Sequence, residues 1–545
     1  KGWSENQYVF FAATFSAPFS EYGILNDDQL VYGTKSQEGT RLKAHFDFSP
    51  EIEELLVKVA ISPVSEEGAL ENLQQEIPHW DFEKVRDQTQ DAWEQELSRI
   101  QVQTSSEAYS EIFYTSLYHS LLFPSLYMDS DGKYRGLDHK IHTAEGFTKY
   151  TVFSLWDTFR ATHPLYTIIK PSHVSELIKS MLSHYDEYGL LPEWSLSSSE
   201  TYTMIGYHAV PVIVDAYFKG IRGYDTERAY QACLTSALQE QHGVDLFHTY
   251  NFIPADLENK SVSKALEYAY DDWCVARFAN GIGKTVDSKK FMDFSLGYKN
   301  HFDTSTGLMR GKNEDGSWVA PFNPIHSDHG NSEYIEGNAW QYSWFVPHDV
   351  AGLIELSGGK SDFIEMLDSL FNQPSSLDGT NISKDISGLI GQYAHGNEPS
   401  HHVAYLYNYA GTPWKAQERV HEIMTTLYDN KPDGLSGNED CGQMSSWYVF
   451  SAMGLYPVNP ADGNYVFGTP LMERSEINLE NGKSFIIEAE NLNEVNYYIQ
   501  EISLNGEPYT KTYLPHHEMM NGGKLVFSTV EYGARPARQC DPGAG

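Results

Sequence analysis

From Gln7 to about Pro63 apolar and polar residues alternate. Leu42, Ala44, Phe46 and Phe48 share one face, and Leu55, Val57, Val59 and Ile61 repeat the pattern. A period of two predicts strands. Too few strands are present for a complete sheet, so the pattern predicts a β-sandwich entered part-way. Around Trp80 the period changes. Phe82, Val85, Ala92, Trp93, Leu97 and Ile100 mark one amphipathic helix, expected to connect two domains. Thr104-Ser-Ser-Glu107 reads as a capping box opening the next helix, with Ile112, Phe113, Leu117 and Leu121 on its buried side. Val174, Leu177, Ile178, Met181, Leu182 and Tyr185 follow helical spacing closely, as do Phe363, Met366, Leu367, Leu370 and Phe371. Further helical stretches run near 205–219, 225–239, 262–281, 344–357, 399–410, 415–428 and 443–454. Long loops rich in Gly, Trp, His and acids join them. The expectation is a ring of helical hairpins with one mouth built from loops. From about Asp462 strands return, as in Ser484–Ala489 and Lys524–Ser528, and the tail from Ala534 to Gly545 has no period.

Length and charge narrow the function classes. At 545 residues the chain exceeds one ordinary core, so two or three domains are expected. A formal charge of −37 argues against nucleic acid or an anionic membrane as partner. It suits a secreted, periplasmic or cell-surface protein, and one able to hold a cation. No run has the length needed to span a bilayer. The chain opens on Lys1 without a secretory leader, which reads as a processed or partial product. The 36 Tyr and 11 Trp permit stacking on sugars, but equally fill cores. Cys233, Cys274, Cys441 and Cys540 are scattered, with neither zinc spacing nor a disulfide framework.

Chemistry concentrates in the loops of the helical part. The densest stretch runs from Asp433 to Phe450, where Gly434 and Gly437 suit turns and Glu439 and Asp440 sit at a loop-to-helix junction. Helix capping is the plain reading of an acid there. Four other segments combine acids with aromatics: Ser154–Arg160, Leu191-Pro-Glu193-Trp194, Tyr334–Tyr342 and His395–His402. Each alone is more often structural than catalytic; their joint placement at helix starts is the signal. Glycoside hydrolysis needs one protonated acid and one carboxylate. Asp157, Glu336 and Asp440 could fill both roles with their pKa values pushed apart, Arg160 holding Asp157 ionised. No Gly-x-Ser-x-Gly elbow is present. His401 and His402, adjacent in sequence, face different ways and make an improbable joint metal site.

At Trp156–Arg160, Glu336–Tyr342, His395–His402 and Gly437–Ser445 the sequence closely resembles family 92 of the glycoside hydrolases, exo-acting α-mannosidases. The resemblance implies a multidomain α+β chain. Residues 1–78 would form part of an N-terminal β-sandwich, 79–103 a linker helix and 104–460 an (α/α)6 barrel catalytic domain. Residues 461–533 would be β-strands packed on the barrel, and 534–545 an irregular tail. It also implies calcium (Ca2+) in the site and inverting hydrolysis of terminal mannose from mannose-rich glycans, with α-1,2 linkages favoured. By motif, Glu336 would be the general acid, and Asp440, with Glu439 beside it, would activate water. Asp157 would bind mannose hydroxyls, with Trp156, Arg160 and Trp194 also lining the sugar. His395 and Glu398 would line the leaving-sugar side, and Asn338, Gln341 and Asn397 would lie near the calcium. A non-catalytic glycan-binding protein is the rival from another class; a toroidal glucosidase or lyase is a third reading, and turnover separates them.

Overall fold

The computed structural model describes residues 3–27 and 29–531; the irregular tail and residues 532–533 lie outside them. The N-terminal region holds two small antiparallel sheets. In one, Phe10–Phe15 pairs with Val57–Ser62. In the other, Glu21–Asn26 lies between Gln29–Tyr32 and Leu42–Asp47. The alternation therefore identifies strands, but Val57, Val59 and Ile61 face outward, 51–65% exposed. The helix Glu66–Glu76 packs behind these strands. Its cap is Ser65, whose hydroxyl accepts the Gly68 N–H.

The connector helix Phe82–Leu97 buries none of its residues, and it ends earlier than its pattern suggests. Ile100–Gln103 is a strand, joined to the edge of the C-terminal sheet by pairing with Arg474–Ile477. The next helix, Glu107–Ser120, is capped by Ser106 rather than Thr104. Thr104 instead accepts the Ser106 N–H through its own hydroxyl.

Beyond this point helices dominate. Pro171–Tyr188 buries Val174, Leu177, Ile178, Met181 and Leu182 and ends on left-handed Gly189. Lys360–Asn372 buries Phe363, Leu367, Leu370 and Phe371. Ala209–Phe218, Thr226–Ala237, Pro413–Thr426 and Gln443–Ala452 fall where the periodicity places them. The 399–410 stretch is two short 3-10 turns, Glu398–Ser400 and Val403–Asn408. Val244–Tyr250 and Thr285–Ser295 are helices that the pattern did not reveal. Ser261–Gly281 is buried nearly all round, including Glu267, Asp271 and Asp272.

The C-terminal part is a six-stranded sheet, ordered Glu507–Pro508, Asn496–Leu504, Gly523–Glu531, Ser484–Glu490, Arg474–Asn478 and Ile100–Gln103. One continuous hydrophobic core runs from Ile100 to Phe527 and includes both the helices and this sheet. The N-terminal strands lie outside that core. They meet the rest through buried Asp129, which accepts hydrogen bonds from Ser62 (2.7 Å) and Asn72 (2.9 Å).

Candidate active site

Local pairing brings the first two motif segments together. Phe153–Ser154 pairs with Trp194–Leu196, placing Ser154 opposite Trp194. The chain then turns into the short helix Leu155–Thr158, and the Ser154 hydroxyl donates to Asp157. Gln443 ties in the last motif. Its carbonyl oxygen accepts the Ala161 N–H at 2.9 Å, and its amide meets His401 Nδ1 at 3.0 Å. Segments distant in sequence thus converge, and carboxylate oxygens of Asp157, Glu398 and Asp440 lie within 4.8 Å of one another.

Three carboxyls this close cannot all ionise without a counter-charge. Burial pushes Asp157 well above the usual carboxylate range and Asp440 adds repulsion; the nearby Arg160 does not reverse it. Glu398 is raised for the same reasons, by burial and by Asp440 and Asp157. Asp440 is lifted by burial to about 6. Both Glu398 oxygens are buried without a hydrogen-bond partner. Orphaned buried oxygens beside two further acids are a donor set that a hard divalent cation satisfies.

Glu336 stands apart from this trio. It follows Ile335, whose N–H is held by Ser263 Oγ at 2.9 Å, and its own carbonyl accepts the Asn397 amide at 2.7 Å. Its φ of 45° is in the left-handed region, as are those of Asp440 (53°) and Cys441 (56°). Such angles cost a non-glycine residue energy that surrounding contacts must offset, and they cluster at functional sites. Burial, then repulsion from Asp385 and Asp440, pushes the Glu336 carboxyl up to about 8, with Lys260 pulling the other way. Glu439 does the capping that its position suggests: one oxygen accepts the Gly442 N–H at 2.7 Å, while the other is buried without a partner.

Several motif residues are supports rather than cavity walls. Trp156 is buried and donates its indole N–H to Glu267 at 3.0 Å. Arg160 is enclosed by the rings of Trp156, Phe159 and Phe345, and donates to the Trp156 carbonyl at 3.0 Å. Both are thus held by the helical core, with Arg160 Nη2 left without a hydrogen bond. His395 is wholly buried, its ring bonded to Tyr393 at 2.9 Å and Tyr428 at 2.7 Å. Burial pulls it down to about 3, so it is a neutral core histidine and not a leaving-sugar contact. His401 and His402 are likewise bonded to backbone carbonyls. Asn338 and Gln341 form a reciprocal capping box for Ala339–Tyr342, which commits their oxygens to backbone N–H groups. Asn397 spends its N–H on Glu336. The amides therefore hold the loop, and among the described residues the carboxylate trio is a group that could hold a metal ion. Trp194 remains at the margin, its ring edge-on to Trp3 at 5.2 Å.

Two groups of residues escaped the motifs. Glu267 anchors Trp156, accepts from His208 at 2.7 Å and lies 3.6 Å from Arg160. His208 is raised to about 9 by Asp271 and Glu267 against the pull of burial, so charges alternate through the helical core. Acids inside an otherwise apolar helix were the available signal. Asp385 lies on a loop without periodicity, and nothing in its surroundings marks it.

Sequence models of two parts match. One describes the glycosyl hydrolase family 92 N-terminal domain and covers residues 1–62; the other describes the family 92 catalytic domain and covers residues 68–531. Both parts of the chain thus match those of a glycoside hydrolase. The chain belongs to glycosyl hydrolase family 92.

A solved family 92 α-mannosidase of Bacteroides thetaiotaomicron in complex with mannoimidazole superposes with a TM-score of 0.93 and 41% identity, over 98% of this chain and 72% of that one. A family 92 inverting mannosidase of the same organism gives 0.90 and 32%, over 99% and 76%. An uncharacterized secreted glycosidase of Arthroderma benhamiae is 29% identical over 517 residues, 86% of this chain. The chain spans 60% of the length of that curated relative.

Proposed function

We propose that the protein is an exo-acting α-mannosidase that removes terminal mannose from mannose-rich glycans by single displacement with inversion. The observation that carries this is the division of the acids. Glu336, pushed up to about 8, keeps its proton at neutral pH, while Asp440, near 6, does not. One acid ready to donate and one ready to accept are what glycoside hydrolysis requires, and inversion is the course taken when the second acid activates water instead of attacking carbon. Glu336 would protonate the glycosidic oxygen as the bond breaks, and Asp440 would take a proton from the attacking water. Glu439 holds the turn that carries Asp440. The similarity to solved α-mannosidases, one described as inverting, supports the same reading.

Asp157 and Glu398, with Asp440 beside them, would hold calcium. A calcium ion supplies oxygen-ligand sites that grip vicinal hydroxyls and favour ring distortion. The helices of 104–460 would close as an (α/α)6 barrel, with 1–78 as part of a sandwich, 79–103 as linker and 461–533 packed on the barrel. Secretion to the periplasm or cell surface agrees with the charge and with the secreted relative. No helix among the described residues is long and apolar enough to cross a membrane. With His395 enclosed, α-1,2 preference rests on the family resemblance alone.

The test is hydrolysis of α-mannobiose of each linkage, with and without chelator, followed by proton NMR. β-Mannose should appear first. α-Mannose appearing first would overturn inversion and Asp440's role. The Glu336 and Asp440 carboxyls should stand roughly 6.5–9.5 Å apart in the substrate complex, leaving room for water.

A further inference from the structure

Two segments of the site meet at one buried carboxylate outside the motifs, Glu267 of the helix Ser261–Gly281. Its Oε1 accepts the Trp156 indole N–H at 3.0 Å, so it holds the residue directly before Asp157. The Tyr342 hydroxyl approaches the same oxygen at 3.5 Å. The Tyr342 ring in turn lies against Gly337, the residue after Glu336, where an added Cβ would meet it at 3.0 Å. Arg160 Nη2 stands 3.6 Å from Oε1 as an ion pair. Glu267 thus gathers the segment of Asp157 and the segment of Glu336.

What holds Glu267 is His208. Its Nε2 lies 2.7 Å from Glu267 Oε2, and its Nδ1 lies 2.8 Å from Asp271 Oδ1. A neutral imidazole donates from one nitrogen and accepts at the other, so it can donate to only one of two carboxylates. Each acid also takes a donor on its far oxygen: the Trp156 indole on Glu267, and the Tyr207 N–H on Asp271 at 3.0 Å. Those donors favour the ionised form of both acids, so the hydrogens belong to the ring and the ring is a cation. The Phe159 ring stacks on it at 4.3 Å and 19°, a face that favours positive charge. Gly206, at φ 85°, makes room, since a Cβ there would lie 2.1 Å from Nε2. Burial pulls the imidazole down, but Asp271 and Glu267 outweigh it and raise it to about 9. The other charged or titratable groups around the cluster are Arg160, Tyr342 and Glu193, the last pushed up to about 8 by burial and Glu200. His208 and Arg160 together offset the charges of Glu267 and Asp271.

We propose that His208 is a positioning residue for the active site: as a cation between Glu267 and Asp271 it fixes Glu267, and through Trp156 and Tyr342 the segments that carry Asp157 and Glu336. The inference rests on those segments forming the site of the proposed glycosidase. Loss of one ring hydrogen to solvent turns a donor into a lone pair that faces a carboxylate oxygen. The clamp then opens on that side. Activity is therefore retained below the pH at which this ring gives up its proton and lost above it.

The first test reads the ring directly, by NMR of the calcium-loaded wild type labelled with 13C and 15N in histidine. The His208 signals, assigned by their loss in His208→Gln, should be those of a ring with two N–H groups at pH 7 and should titrate near pH 9. Titration at the ordinary histidine value, about 6.5, would overturn the proposal. Glu267→Gln gives the second reading. Its amide oxygen can keep the Trp156 bond while its NH2 donates to Nε2, so a neutral His208 satisfies the whole cluster. In wild type, kcat/KM on an activated aryl mannoside, which needs little help from Glu336, should fall roughly tenfold per pH unit above the titration of the ring. Near-UV circular dichroism should stay unchanged across that limb. In Glu267→Gln the limb should disappear and His208 should read as neutral at pH 7. A limb retained in Glu267→Gln, or one that tracks loss of the folded signal, would overturn the positioning role. The histidine titration needs no turnover, which separates the failures. If the ring titrates near pH 9 but no mannoside is cleaved, the glycosidase reading falls and the clamp stands. If mannosides are cleaved and the ring titrates near 6.5, only His208 is wrong.

Discussion

The site contains two clusters of buried carboxyls that resolve their crowding in different ways. Burial and repulsion from Asp385 and Asp440 push Glu336 up to about 8, and Asp385 has neutral donors on both oxygens. Asp157, Glu398 and Asp440 lack such donors, apart from Ser154 on Asp157, and leave Glu398 without a well-formed bond. A pair of acids can be settled by a proton. A buried trio of acids is a donor set that suits a cation. The two clusters therefore carry different chemistry, and four measurements break or sharpen the contrast.

The largest effect should come from removing the cation. Exhaustive chelation should abolish turnover and calcium should restore it, because the trio cannot stay ionised alone. Glu398→Gln should weaken calcium binding in a titration, whereas Glu336→Gln should leave it near wild type. Full activity after chelation would erase the distinction between the clusters.

Next is Glu336→Gln itself. General-acid assistance is typically about 10²–10⁴-fold, so the loss on mannobiose should approach that range and the loss on an aryl mannoside should be far smaller. Equal losses would make Glu336 a binding residue.

Stability should also depend on pH, and the sign follows from the raised carboxyls. Asp157, Glu398, Asp440 and Glu336 hold protons in the folded state that the unfolded chain gives up at lower pH. Their contribution is fully present below the unfolded values, about 4, and is lost as pH rises toward the folded ones. In chelator, Tm should therefore fall between about pH 4 and pH 8, each unit of upward shift costing about 1.4 kcal/mol. The stabilisation that calcium confers should grow across the same window. A Tm that rises with pH in chelator would contradict the burial of uncompensated acids.

The smallest effect belongs to Glu439→Gln. An amide still accepts the Gly442 N–H, so the change should cost less than about 1 kcal/mol and a few-fold in kcat. A loss matching Asp440→Asn, which should remove most turnover, would move the base to Glu439.

Legibility in the sequence followed the same division between pattern and surroundings. Ser484–Glu490 and Val57–Ser62 carry the same alternation. Phe485 and Ile487 are buried against the helical core, whereas Val59 and Ile61 face outward. Period two identifies a strand and its faces; what covers a face is a property of another segment. Trp156, Arg160 and His395 show the same limit in the site. Their motifs single them out, but the rings and acids enclosing them, Glu267 among them, come from other segments with no shared pattern. Asp440 and Glu336 were visible because strained turns next to glycine leave a composition mark. Asp385 left none, since one carboxylate in an irregular loop acquires meaning only from its neighbours.

The edge strand Ile100–Gln103 has a consequence for how the chain is made. Gln103 pairs with Arg474, so this segment waits unpaired until Arg474 has emerged. The closing of that sheet comes late relative to the helices between residues 104 and 460. Helices made in between can form locally, but their shared core with the sheet is sealed only then. Loss of the last strands would therefore reach back to residue 100, and the region between could not be expected to hold its fold alone.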